Sequence, residues 1–526
     1  MTDLIIIGAG TAGCVLADRL TRSGKLRVVL IEAGGKPTSR FVSIPAGFTK
    51  LFKSDHDWAF ESEPQTSVGG RRVFTPRGKM LGGSSNMNAQ IHQWCHPADF
   101  DGWVGSGASG WGWDDVSEVF RGMESWAGDD DDPDRGRDGQ MIISPNKNAL
   151  PLSHAFVKAA HNCGLGNSPG YNGKAFDGAW ICELAHKNGK RFSCYDAFLR
   201  PAISRPNLEV ITNAQVKKLV FENGRASGVT FVRDGVEKTL NARGVVLSAG
   251  AFGSPQILMH SGIGPAKMLS NFDIPVLIDS PDVGENLQDH PVLPLVFRSR
   301  DARTFKSAEG LGSLASYILF KRGMLASNGI EAFAFANASG DKTAPPDLEL
   351  IFAPLECRDQ FLEPPLADAF SIGAAVVAPR SRGSVALRTS DPLEPLAIDL
   401  GLFSDPEGID VSVFMAAIRL IRQIVATEPL NTFCSGEMRP GPSAQSDDEL
   451  LAYAAKELQT VYHPTSTCRI GADDRAVVDP RLKAKGVDGL WVADASVMPS
   501  VPRGHPNAVV AMIAERAAGW IESEFN

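Results

Sequence analysis

The stretch DLIIIGAGTAGCVLADRL, from Asp3 to Leu20, decides the fold of this chain. Leu4–Ile7 is a short apolar run of the kind that forms a strand buried on both faces. GAGTAG follows at positions 8–13, and Val15, Leu16 and Leu20 then recur with the period of an amphipathic helix. The three glycines have separate tasks. Gly8 permits the tight turn, Gly10 lets backbone approach a pyrophosphate, and Gly13 lets the helix pack closely on the strand. The helix N-terminus then turns its unpaired N–H groups toward the phosphates. A second strand, Arg27–Ile31, ends in Glu32, whose carboxylate can accept both hydroxyls of an adenosine ribose and would repel a 2′-phosphate. Strand, turn, helix and acid at this spacing specify a dinucleotide site, which a bare glycine-rich turn would not.

This unit alone does not choose NAD over FAD. GKMLGGSSNMN, residues 78–88, sets four small residues in a row, Gly82 to Ser85, before Asn86 and Asn88. Such a segment lets backbone pass close to a flat ligand while amides and hydroxyls meet its polar edge; a surface turn is the plainer alternative. Two more strand patterns end in small residues: Gly244–Ser248 runs into AGAFGSPQILMHSGIG, and Leu490–Val492 into ADASVMP. Three such returns place several edges of one open sheet on a long ligand, which favours FAD.

The rest of the composition narrows the class. With 526 residues and 43% hydrophobic content, the chain can build a large core divided into two domains. A net charge of -9 argues against nucleic acid as a partner. No apolar run approaches the roughly 20 residues that cross a bilayer. No secretory signal is read, and the eight cysteines form no CxxC pair. A reducing, cytoplasmic location without metal or disulfide framework is the expectation.

Along the chain, residues 1–150 read as the first part of the nucleotide domain. Within them the acidic stretch Asp129–Gly139 reads as a solvated loop, with an active-site lid as the alternative. Residues 151–190 read as a substrate-domain segment or an extended connection, and 191–290 as the second nucleotide part. Leu208–Ile211 and Val229–Val232 suggest a smaller sheet there, before Val245–Leu247 rejoins the main one. Residues 291–455 change character. Leu348–Pro354, Ser371–Pro379 and Gly383–Pro392 look like antiparallel strands of a substrate domain, with a helix near Asp410–Ala426 across it. Residues 456–526 return to the nucleotide domain through a helix, Asn507–Ile521. The expected fold is α/β: a Rossmann-like FAD-binding domain with a second α+β substrate domain on an antiparallel sheet.

Two polar clusters carry the candidate chemistry. In TVYHPTSTCRIG, His463 sits between a strand-like approach and a proline turn. In RGHPN, Asn507 opens the last helix, where an N-cap role alone would also explain it. His505 is either a functional partner or a pocket residue. With a flavin present, oxidising an alcohol requires removal of the hydroxyl proton as hydride leaves the α-carbon. Imidazole suits the base near neutral pH, and an amide NH₂ can hold the substrate oxygen. Val461, Tyr462 and Trp94 are candidates for excluding water.

Together these motifs resemble the glucose–methanol–choline (GMC) oxidoreductase family over essentially the whole chain. The matching elements include IIIGAGTAG…LIEAG, GKMLGGSSNMNAQ, HPADFDGW at His96–Trp103, GAFGSPQILMHSGIG, VGENLQDH at Val283–His290, YHPTSTCRIG and WVADASVMPSVPRGHPNA. The resemblance implies FAD, alcohol oxidation to a carbonyl, a base at His463, and Asn507 at a second catalytic position that is His in some members. It places further cofactor contacts at Thr11, Ala12, Ala33, Gly82, Gly83, Ser84, Asn86, Met87, Asn88 and Ala89. Others fall on Val216 by the adenine, on Ala249 and Gly250, on Asp494 and Ala495 by the pyrophosphate and ribityl chain, and on Asn507 and Ala508. Members with covalent flavin carry a histidine after GGSS; Asn86, Met87 and Asn88 stand there, so non-covalent FAD is expected. Val461, Tyr462 and His505 fall in the substrate pocket. The triplet Val461–His463 is most like enzymes acting on small aromatic or heteroaromatic primary alcohols. No aromatic cage with a carboxylate is legible for choline. O₂ as electron acceptor, a quinone or other acceptor, and a hydroxynitrile lyase that retains FAD without net redox are the competing outcomes.

Overall fold

In the computed structural model, Thr2–Ile7 is the middle strand of a parallel sheet ordered Leu208–Ile211, Val28–Ile31, Thr2–Ile7, Val236–Leu247, Leu490–Val492. The structure describes residues 2–129, 132–168, 170–173, 176–308 and 310–525. Leu4 to Ile6 are fully buried, as an apolar run flanked by helices requires, and each such side chain contributes about 1.5–3 kcal/mol. The next helix, Thr11–Thr21, is buried at every residue but Arg19 rather than amphipathic in exposure. It is enclosed by the sheet and by the last helix, Asn507–Phe525, and Arg19 itself is paired with Glu515 at 2.7 Å. Such closeness needs small residues. A Cβ on Gly13 would lie 1.9 Å from the Gly8 carbonyl oxygen, and one on Gly8, at φ +95°, would lie 2.5 Å from that of Ser248.

The expected smaller sheet is a misreading of one long strand. Val236–Leu247 pairs antiparallel with Arg225–Arg233 through Asn241, and parallel with Thr2–Ile7 from Ala242 onward. Its first half is mostly exposed and its end is continuously buried, so one strand serves both environments. Ala214–Glu222 and Arg225–Arg233 extend the main sheet as a meander, and Leu208–Ile211 is the parallel edge strand beside Val28–Ile31. Strand order reverses between Thr2–Ile7 and Val236–Leu247. Ligands of open α/β sheets lie at such switch points, outside the carboxyl ends of the strands.

The second sheet is antiparallel, ordered Cys434–Arg439, Pro291–Ser299, Ala369–Val376, Leu348–Ala353, Ala332–Ala336, Gly178–Ile181. Helix Ile409–Val425 packs across it. The strand expected at Gly383–Pro392 shrinks to Ser384–Ala386, which pairs only with Ala397–Asp399 as a separate hairpin. Gln459–Thr460 pairs with Pro291–Val292 just before the YHP triplet, so the antiparallel sheet delivers that triplet. The whole is an α/β fold with a Rossmann-like nucleotide domain and a second α+β unit. Of the acidic stretch 129–139, residues 130 and 131 lie outside the described residues. The stretch is not wholly solvated. Arg135 is buried between Glu124 and Glu183, 2.8 Å from each, with its guanidinium over the Trp126 ring.

Candidate active site

A cavity of about 410 Å³ is walled by both sheets. Gly8, Gly10, Thr11, Ala12, Glu32 and Ala33 line its nucleotide end, where the Cβ position of Gly10 meets no atom within 4 Å. That open backbone and the helix start beside it form a cradle suited to a pyrophosphate. Glu32 is buried and accepts the N–H groups of Ala9 and Gly34, each at 2.8 Å. Burial outweighs these bonds and pushes its carboxyl up to about 7.

Gly83, Ser84, Met87, Asn88 and Ala89 line the cavity, as do Val216, Ala249, Gly250, Asp494 and Ala495. Asp494 joins two of the strand returns by accepting from Gly250 N–H at 2.8 Å and from the Ser254 hydroxyl at 2.5 Å. Four expected contacts do not reach the wall. Gly13 packs under the Gly8 turn, and Gly82 donates its N–H to Ala9. The Asn86 amide donates to the Leu81 carbonyl at 2.7 Å, and Ala508 lines a separate small void with Phe120 and Phe198. These residues shape the loops that carry the lining ones. Asn88 is fixed by Arg191, a buried cation that sequence reasoning missed, which donates to its Oδ1 at 2.7 Å. Burial lowers that guanidinium to about 9.

At the other end the cavity wall holds Val461, Tyr462, His463, His505 and Asn507 together. Tyr462 adopts φ +65°, and its carbonyl accepts from the half-buried Arg77. The His463 N–H donates to Asp289 Oδ1 at 2.7 Å. Its ring Nδ1 lies 3.1 Å from Nδ1 of His290, with the two rings at 88°. Only one of the two Nδ1 atoms can carry the shared hydrogen. If His463 donates it, its Nε2 keeps a free lone pair, the tautomer a base requires. His290 then bears its proton on Nε2. That atom makes no bond of full hydrogen-bond geometry, although the Val377 carbonyl lies close enough to favour a proton there. Burial, then His505, His290 and Arg77, hold the His463 imidazole well below its ordinary value; burial and His505 lower His290 to about 3. His463 is therefore neutral at physiological pH.

Asn507 Oδ1 accepts from the Thr11 hydroxyl at 2.6 Å, and its side chain also reaches the buried Cys194 thiol. His505 packs its ring 4.8 Å from that of His463 and meets Glu349 Oε1 at 3.0 Å through Nε2. His290, Asp289 and Glu349 were also missed. The only sequence signal for the first two was VGENLQDH, quoted for the family without a role.

The wall contributed by the antiparallel sheet is largely apolar. Strand alternation turns Val292 and Pro294, Ile351 and Ala353, and Ser371 and Gly373 to the cavity from three neighbouring strands. Phe48 and Phe52 close another side, with Phe52 edge-on to Tyr462 at 5.9 Å. Trp94 takes no part in this wall: it stacks on Phe120 and donates to His92 Nε2.

Family models described as GMC oxidoreductase match residues 2–292 and 379–514. The chain belongs to the GMC oxidoreductase family. A GMC-type oxidoreductase of Mycobacterium tuberculosis is 41% identical over 99% of both chains. A Pseudomonas putida protein named alcohol dehydrogenase [acceptor] is 36% identical over 98% of this chain and 95% of its own length. Among solved structures, pyridoxine 4-oxidase from "Mesorbium loti" superposes with a TM-score of 0.91 at 31% identity, covering 99% of each chain. This GMC protein is therefore an oxidoreductase, and one of its named relatives is an alcohol dehydrogenase.

Proposed function

We propose that the protein holds FAD non-covalently in this cavity and oxidises a small neutral primary alcohol, aromatic or heteroaromatic, to its aldehyde. The observation that carries the reading is a half-buried imidazole, held neutral by its surroundings, beside the Asn507 amide in one cavity with the glycine cradle and Glu32. FAD, when bound, supplies the acceptor for the hydride that leaves the alcohol carbon. His463 accepts the hydroxyl proton at Nε2. The Asn507 NH₂ donates to the substrate oxygen and holds it in the reacting pose. Arg77 and Asp289 fix the His463 backbone, and the Phe and Ile wall excludes water.

The substrate-side strands present no carboxylate to the cavity among the described residues, which favours a neutral alcohol over a quaternary ammonium. The non-covalent mode is supported by the lack of histidine at 86–88 and by Cys357, the cysteine on the wall, whose thiol burial pushes up to about 12. Reoxidation by O₂ is the first reading for the acceptor. A quinone or similar acceptor is the second, favoured by the name of the Pseudomonas relative.

An anaerobic screen of primary alcohols against the flavin absorbance tests the reading. Bleaching by a small aromatic alcohol is expected. No bleaching by any alcohol, with FAD retained, would move the assignment to a non-redox lyase. Peroxide formed in air, against dye reduction without peroxide, separates the acceptors.

A further inference from the structure

One helix outside the cavity is built inside out. Leu311–Phe320, LGSLASYILF, carries no charged residue. Leu311, Leu314, Ala315, Ile318 and Leu319 recur at i, i+3, i+4, i+7 and i+8, a stripe that ordinarily faces a core. Here it faces solvent: Leu311 is 87% exposed, Leu319 69%, Phe320 68% and Ile318 58%. The polar side turns inward. Tyr317 is the buried residue of the helix, and Ser313 and Ser316 bond to the carbonyls of Ser307 and Arg322. A contiguous exposed apolar face of this kind marks an interaction surface.

The charges around it identify the occupant. Residues 298–322 carry six basic side chains, Arg298, Arg300, Arg303, Lys306, Lys321 and Arg322, against two acidic ones, Asp301 and Glu309, in a chain whose net charge is -9. Lys306 is paired with Asp368 at 3.4 Å. Beyond the end of the helix, the turn Lys187–Lys190 abuts the Lys321 carbonyl and adds two exposed lysines. An apolar stripe with Lys321, Arg322, Lys187 and Lys190 gathered at its end is complementary to an anionic lipid surface. It is poorly suited to a second copy of itself, because an isologous contact would add two such basic clusters to one interface.

We infer that this face docks the protein onto an anionic bilayer, with the stripe entering the acyl boundary and the lysines and arginines meeting the headgroups. The docked face adjoins the cavity. Tyr317 donates to the Ser43 carbonyl, and the turn Met324–Ala326 packs on Pro45–Leu51, whose Phe48 lines the cavity. The alcohol chemistry at His463 does not depend on docking, so lipid binding is measured apart from turnover.

The test is co-sedimentation of the holoenzyme with vesicles of phosphatidylglycerol mixed into phosphatidylcholine, compared with phosphatidylcholine alone. Binding to the anionic vesicles, weakened by salt, is expected. The exposed double variant Leu319→Ser/Phe320→Ser should bind at least ~tenfold more weakly, and Lys321→Glu/Arg322→Glu should lose the preference for anionic lipid. Both should keep their flavin and their soluble alcohol activity, which shows they are folded. No binding by the native protein, or equal binding by the Leu319→Ser/Phe320→Ser protein, overturns the inference. So does a native dimer that this variant converts to a monomer, since that assigns the face to a second copy.

Discussion

On the proposed reading, His463 carries the chemistry through its surroundings more than through its own identity. Replacing it with alanine should slow alcohol-dependent flavin reduction by about 10²- to 10⁴-fold while FAD stays bound. Asn507→Ala removes one donor to the substrate oxygen, and a smaller loss, on the order of tenfold, is expected in the same assay. The pH profile follows from burial. On the proposed reading the neutral imidazole is the base, and its affinity for protons is held well below that of a free histidine. The reduction rate should therefore stay level as pH falls through the ordinary histidine range near 6.5, and decline only well below it. A half-maximal rate at or above pH 6.5 would show that burial does not govern this group. His463, Asn507 and His505 were legible in sequence because each sits in a short motif with a turn or helix start. His290, Glu349 and Arg191 were not, since their importance comes from contacts with residues more than a hundred positions away.

At the scale of elements, the glycine turn has no room for a side chain at Gly13. A methyl on Gly13 would fall 1.9 Å from a backbone oxygen, and neither the helix nor the turn can yield without opening the cradle. Gly13→Ala should give protein with little flavin, read as the ratio of flavin to protein absorbance after purification; full occupancy would contradict the role given to that packing. The turn, its helix and the terminal helix could be read from local pattern. Val236–Leu247 could not, because its two halves obey different burial patterns within one strand. The helix Leu311–Phe320 inverts the usual inference altogether: its stripe has the period of a core face, and only the structure shows that it points outward.

Across the whole molecule, two sheets divide the work. The parallel one ends its strands at a nucleotide cradle, and the antiparallel one supplies an apolar wall and, through Gln459–Thr460, carries His463 to the far end of the same cavity. The α/β class and the antiparallel strands of the second sheet were readable from composition and strand spacing. The meeting of Gly8, Gly10, His463 and Asn507 at one cavity, with Asp289 and His290 against His463, was not, because it depends on long-range register. Anaerobic stopped-flow reduction of the FAD-loaded native and His463→Ala proteins by one alcohol substrate tests this account most directly. Rapid bleaching in the native protein, slowed at least about a hundredfold in the variant with its flavin retained, is the predicted result. Equal rates in the two proteins would contradict it.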